Sequence, residues 1–184
     1  MAESVAAVSL AYTWGTVEAE RRLPFPCDRY VEQAEAAFFR GITVRASPAT
    51  LFRWLCQLRV APYSYDWIDN GGRRSPRALT PGLEDLAVGQ PVMRIFTLVD
   101  FAKDAHLTLR IKHGTGAFSL FGDLAITYLI APESPERCRL LVKIVTRYPR
   151  GFMGALMRRG LPWGDLVMMR RQLLNFRQLA ERSP

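Results

Sequence analysis

Between residues 91 and 147 the chain carries four strand candidates, at about 91–99, 104–112, 123–131 and 137–147, and the second and fourth alternate apolar and polar residues. Lys103-Asp104, Gly114-Thr115-Gly116 and the segment Pro132 to Arg137 separate them at hairpin spacing. In the second stretch Leu107, Leu109 and Ile111 alternate with His106, Thr108, Arg110 and Lys112. In the fourth, Leu140, Val142 and Ile144 alternate with Arg139, Lys143 and Arg147. This pattern predicts an antiparallel sheet with one apolar and one wet face. The apolar face needs a cover, and one follows in the sequence. Trp163 to Arg182 reads as a long helix, with Trp163, Leu166, Val167, Met169, Leu173, Leu174, Phe176 and Ala180 in one half of its wheel. Gly164, Met168, Arg171, Gln172, Asn175, Gln178 and Arg182 fall mostly on the other. A strongly curved antiparallel sheet wrapped around that C-terminal helix buries both apolar faces, giving an α+β fold.

Upstream, residues 1–27 show no clean period, and Pro24 and Pro26 mark an extended segment. Asp28 reads as the cap of a short helix running to about Phe38, and Ile42-Thr43-Val44 as a strand. Ser47-Pro48 opens a helix carrying Leu51, Phe52, Trp54, Leu55 and Leu58, because proline there lacks only a donor that the first turn leaves orphaned. Tyr63 to Ile68 alternates and is predicted as a strand, with Asp69-Asn70-Gly71-Gly72 as its turn. Residues 72–90 are loop-rich, and 150–164 is punctuated by glycine. The expected organisation is one domain over 1–184, with 1–40 as an N-terminal extension bearing the short helix and 41–182 as the core.

Of 184 residues, 49% are apolar, enough for a sizeable core. No apolar run approaches the roughly 20 residues of a membrane span. Cys27, Cys56 and Cys138 are odd in number and far apart, which argues against a disulfide framework or a zinc knuckle and suits a reducing compartment. Glu3 precedes a short apolar run from Val5 to Tyr12 with no basic leader, so a cytoplasmic protein is expected. The net charge of +8 raises nucleic acid, an anionic membrane or an acidic ligand as partner. Arg21-Arg22, Arg73-Arg74, Arg158-Arg159 and Arg170-Arg171 are dispersed doublets, which weighs against nucleic acid. Solvated surface is their plainer account, and membrane-surface contact the lesser one.

Several segments together resemble the SRPBCC superfamily, the START-like or helix-grip fold, and within it bacterial polyketide-cyclase/dehydrase-like proteins. They are Trp14-Gly15-Thr16 with Glu18, Leu23-Pro24 with Asp28, Arg45-Ala46-Ser47-Pro48 leading to Leu51-Phe52-Arg53-Trp54-Leu55-Cys56-Gln57, Tyr63-Ser64-Tyr65-Asp66-Trp67-Ile68-Asp69-Asn70, and Val88-Gly89-Gln90. The resemblance spans roughly residues 12–147, with Phe25-Pro26-Cys27-Asp28 departing from the usual Pro-Gly-Asp. It implies a deep cavity between sheet and C-terminal helix for a hydrophobic small molecule. It does not imply one reaction.

The predicted ligand-binding wall comprises Tyr63, Tyr65, Trp67, Phe96, Phe121, Tyr128, Trp163, Leu166 and Leu173. Aromatic side chains line such pockets and can offer a hydroxyl to a ligand's polar group. Tyr63, Tyr65 and Trp67 would share one face of their strand, opposite Ser64, Asp66 and Ile68. Arg170 and Arg177 lie in the apolar half of the last helix and would supply anion-pairing charge, although snorkelling or pairing with an acid is the plainer account. His106 and His113, seven apart, point to opposite faces of one strand and form no two-histidine metal site. No Gly-x-Ser-x-Gly elbow, dinucleotide loop or Walker sequence occurs, so no catalytic residue is assigned, and no cofactor or metal is called for. The expected function is binding of a hydrophobic or aromatic, lipid- or polyketide-like small molecule that could be anionic. One alternative is a polyketide cyclase or aromatase using a cavity Tyr, His or Arg as acid/base. Another is peripheral lipid transfer with Met153 to Arg159 as a lid. Oligomeric state is left open.

Overall fold

The computed structural model describes residues 10–69 and 71–183. The start of the Val5 to Tyr12 run and Asn70 of the expected turn lie outside the described residues. Five labelled helices are α1 Glu18–Arg21, α2 Pro48–Cys56, α3 Asp66–Asp69, α4 Gly116–Phe121 and α5 Gly151–Ala180. The strands are β1 Ala36–Val44, β2 Pro91–Val92, β3 Phe96–Ala102, β4 His106–Ile111, β5 Asp123–Ser134 and β6 Arg137–Arg147. They form one antiparallel sheet in the order β1-β6-β5-β4-β3-β2. This curved sheet with a long C-terminal helix is the expected helix-grip fold.

Local chemistry accounts for these elements. The Ser47 hydroxyl accepts from the Thr50 amide at 3.1 Å, and Pro48 takes the first position of α2. On β5, Leu124, Ile126, Tyr128 and Ile130 face the main core, in register with Thr146, Ile144, Val142 and Leu140 of β6. The opposite face is not wet as expected. Phe25, Cys27 and Val31 of the N-terminal segment cover Ala125, Leu141 and Val145 there. The cationic groups on that face find acids in the same segment: Arg139 meets Glu20 at 2.6 Å and Lys143 meets Asp28 at 2.7 Å. Gly15 seals the segment onto β1. Its φ is +73°, and a Cβ there would stand 2.1 Å from the Gly41 carbonyl oxygen, so only glycine fits.

Three further expectations are corrected. The helix expected after Asp28 is a single 3-10 turn, Pro26–Arg29, and β1 begins at Ala36. Tyr63 to Ile68 is no strand: Tyr63 has φ +57°, which breaks an extended chain, and α3 begins at Asp66. The last helix starts at Gly151 rather than near Trp163. The 150–164 glycines are tolerated inside it, and so is Pro162, at the loss of one main-chain hydrogen bond. Cys27, Cys56 and Cys138 are all buried and unpaired with one another. Among the described residues no helix is long and apolar enough to cross a membrane.

Candidate functional site: a cavity between the sheet and the last helix

The inward side chains of the sheet do not meet α5 along its whole length. A cavity of about 1390 Å³ opens where they part. Its buried floor is Ile111, Ile126, Tyr128 and Ile144 of β4, β5 and β6. The helix contributes Met157, Leu161, Asp165, Met168, Met169 and Gln172. Gly160 and Gly164 also border it, and a Cβ on either would meet nothing within 4 Å. Exposed residues form the rim: Val60, Ile68, Arg73, Arg74, Arg94 and Leu156.

Few polar groups punctuate this apolar wall. The Tyr128 hydroxyl donates to Gln172 Oε1 at 2.8 Å, and Gln172 Nε2 donates to the Pro62 carbonyl at 2.5 Å. Burial raises the Tyr128 pKa far above the ordinary phenol value, so the side chain stays neutral. On the helix side Asp165 Oδ2 accepts from Arg40 Nη2 at 2.8 Å and Nε at 3.1 Å. Arg40 itself is 0% exposed and also donates to the Pro162 carbonyl at 3.2 Å and the Phe39 carbonyl at 2.9 Å. Burial pushes the Asp165 carboxyl up to about 6, although the Arg40 charge and hydrogen bonds pull the other way. Both guanidinium bonds end on Oδ2, and Oδ1 takes no hydrogen bond from the described residues. The wall thus presents an acceptor whose carboxyl can gain or lose a proton near neutral pH, a property general acid/base catalysis requires.

Backbone strain gathers at the same place. Tyr63, Met93 and Arg94 have φ of +57°, +45° and +61°, the left-handed region that costs a side-chain-bearing residue about 1–2 kcal/mol. Met93 and Arg94 are on the cavity wall, and Tyr63 lies between Pro62 and Ser64, which are too.

Of the residues expected in the site, Phe96, Phe121 and Tyr128 come together on the cavity wall. Tyr63 is buried beside it, packed on Trp54 and Phe176 with ring centroids 6.2 and 5.2 Å away. Tyr65 is half-buried off the wall, and Trp67 is 75% exposed on α3. Their expected common face is lost with the strand, and Ser64 and Ile68, assigned to the opposite face, reach the wall instead. Leu166 and Leu173 are buried in the core, and Trp163 is 44% exposed. Arg170 lies outside the wall, 5.8 Å over the Trp14 ring, and Arg177 is half-buried in the last turn of α5. Neither histidine borders the cavity: His106 Nε2 is buried 3.6 Å from Asp100, and His113 stacks on Phe118 at 4.5 Å. Met153 to Arg159 is part of α5, with Leu156 and Met157 on the wall.

Sequence reasoning missed Arg40 and Asp165. The available signal was a charge inside an apolar strand, Phe38-Phe39-Arg40-Gly41-Ile42, because a buried guanidinium needs a partner.

No protein-family model matches the chain, and no curated protein resembles it closely enough in sequence to count as a match. Solved structures do share its fold. The Zhui aromatase/cyclase from Streptomyces sp. R1128 superposes with a TM-score of 0.51 at 14% identity, covering 79% of this chain and 93% of that one. Protein MLL2253 from Mesorhizobium loti superposes with a TM-score of 0.50 at 16% identity, covering 80% of this chain and 98% of that one.

Proposed function

We propose that the protein binds a hydrophobic or aromatic small molecule, lipid- or polyketide-like, between the sheet and α5. The observation that carries this reading is the cavity of about 1390 Å³, whose wall is mainly aliphatic, aromatic and sulfur side chains, with arginines at its border. Sites for drug-sized ligands commonly measure about 300–1,000 Å³, so there is room for an extended or multi-ring ligand. One polar group sits where it can orient the ligand: Asp165 Oδ1, free to accept from a hydroxyl or amine. Three buried thiols fit a reducing, cytoplasmic setting. Native mass spectrometry of the purified protein tests the reading, with organic extraction of what co-purifies. An apolar adduct on the wild type that is lost in Gly164→Phe, where the new ring occupies the cavity, is the expected result. No uptake of any apolar compound, or equal uptake by the filled variant, would overturn it.

One observation favours a catalytic version. Asp165, poised near pH 6 on the wall, could exchange a proton with a bound polyketone during ring closure, as an aromatase/cyclase needs. The overall likeness to the Zhui aromatase/cyclase agrees with such a role. Incubation with a linear polyketone thioester analogue, followed by mass-resolved product analysis, decides it. Asp165→Asn should slow product formation about a hundredfold or more while apolar probe binding persists. Unchanged turnover in that variant would remove Asp165 from the chemistry.

A further inference from the structure

The cavity is not electrically neutral. Among the described residues Arg59, Arg73, Arg74 and Arg94 border it, against one carboxylate, Asp165, which Arg40 already engages; Arg73 has a partner of its own. Elsewhere on the surface Arg29, Arg53, Arg110, Arg139 and Arg158 each meet a carboxylate. Arg74 and Arg94 meet none among the described residues, and the neighbouring rim positions Val60, Ile68 and Leu156 are apolar. Arg59 donates to the carbonyls of Gly82, Leu83 and Asp85, which anchor its charge without cancelling it.

Arg94 carries a second mark. It follows Met93 in a turn between β2 and β3 in which both residues hold positive φ. Asparagine or glycine would take this backbone at less cost. A long cationic side chain kept in such a turn, at the mouth of a cleft, is a strained position of the kind found at ligand clamps. A low-dielectric cleft lined by one sign of charge also focuses its field on whatever enters.

We propose that the rim arginines, Arg74 and Arg94 above all, bind the anionic group of an amphipathic ligand whose apolar body fills the cavity. The ligand class is an anionic amphiphile, with a carboxylate, sulfonate or phosphate at the rim and hydrocarbon or rings against Ile126 and Ile144. The inference rests on the cavity reading above and adds the charge and direction of the ligand. It also moves the anion-pairing role from Arg170 and Arg177, which are off the wall.

Two fluorescent probes with one ring system test it: anilinonaphthalene sulfonate, which is charged, and phenylnaphthylamine, which is not. The wild type should bind the sulfonate more tightly, and added salt should weaken the sulfonate alone. Arg74→Gln with Arg94→Asn should cost the sulfonate about tenfold or more in affinity and leave the neutral probe within about twofold. Arg171→Gln, an exposed arginine off the wall, serves as the control and should change neither. Decanoate and decyl phosphate should each displace phenylnaphthylamine better than decanol, and their order tells a carboxylate ligand from a phosphorylated one. Equal binding of both probes to the wild type, or equal losses of both in the double variant, would overturn the proposal. Failure of both probes to bind would instead overturn the cavity reading beneath it.

Discussion

Leu173, Phe176 and Ala180 of α5 are enclosed by protein, whereas Leu156, Gly160 and Gly164 of the same helix border open space. The second half of the helix is held by apolar packing, with Gln172 and Asn175 also donating to the Pro62 and Tyr63 carbonyls. Phe176 packs at a tilt on Tyr63, Tyr63 meets Trp54 edge-to-face, and Trp54 Nε1 donates to the Ser183 hydroxyl at 2.8 Å. The first half rests Met157 and Leu161 partly on the core and adds ionic ties on one side: Arg158 to Glu35 at 2.5 Å, and Arg40 to Asp165 and to the Pro162 carbonyl. Those ties fix the helix against β1 and leave its other side free. The fold is secured at one end so that space can be kept at the other.

Substitutions in the two halves should therefore have opposite signatures. Phe176→Ala should lower unfolding free energy by about 3–5 kcal/mol in urea titration, with little change in apolar probe affinity of the folded fraction. Arg40→Met should cost nearly as much, about 3 kcal/mol or more, because the partly buried Asp165 is left without a cation. Replacing both partners by apolar residues of similar volume should recover most of that loss, which separates the pair's charge from its packing. A failure of the double replacement to recover stability would mean that the tie itself, and not burial of an orphaned charge, holds the first half.

The pH dependence comes next in size. The Asp165 pKa is raised from 3.8 to about 6 in the folded chain, so the folded state binds the proton more tightly than the unfolded one. The stability this provides is complete below about pH 4 and is lost as pH rises through about 6, a change on the order of 3 kcal/mol. Urea midpoints of the wild type measured relative to Asp165→Asn should show that decline and then stay level. The smallest effect is expected at Gly160→Ala, where a Cβ meets open space. It should gain about 0.5–1 kcal/mol through helix propensity. A loss there would mean that the glycine serves the helix rather than the cavity.

The sheet was legible because its alternation survives folding: the fourth predicted strand, 137–147, coincides with β6. Ser47-Pro48 likewise marks a helix start through chemistry confined to one turn. The site was less legible, for two physical reasons. A period of two describes aromatic residues on a strand, but the left-handed turn at Tyr63 rotates the chain and sends Ser64 inward to the wall. On α5 the wheel combined two apolar faces. Leu166, Met169, Leu173 and Phe176 are buried, while Trp163 and Val167 are exposed. Counting both sets turns the inferred inward direction by about 40° toward Arg170 and Arg177. Gly164, Met168 and Gln172, assigned to the outer half, share the cavity wall with Met169.

The three cysteines give the molecule built-in reporters of its own opening. Burial pushes the Cys27 and Cys138 thiols up to about 11 and Cys56 to about 12, so the reactive thiolate is scarce at neutral pH. Each is enclosed in a different place: Cys27 under the N-terminal cover, Cys56 in α2 and Cys138 at the start of β6. A thiol reagent can modify each one only when its own enclosure parts. Mass-resolved labelling would then time the detachment of the cover separately from disruption of the main core, with no engineered probe.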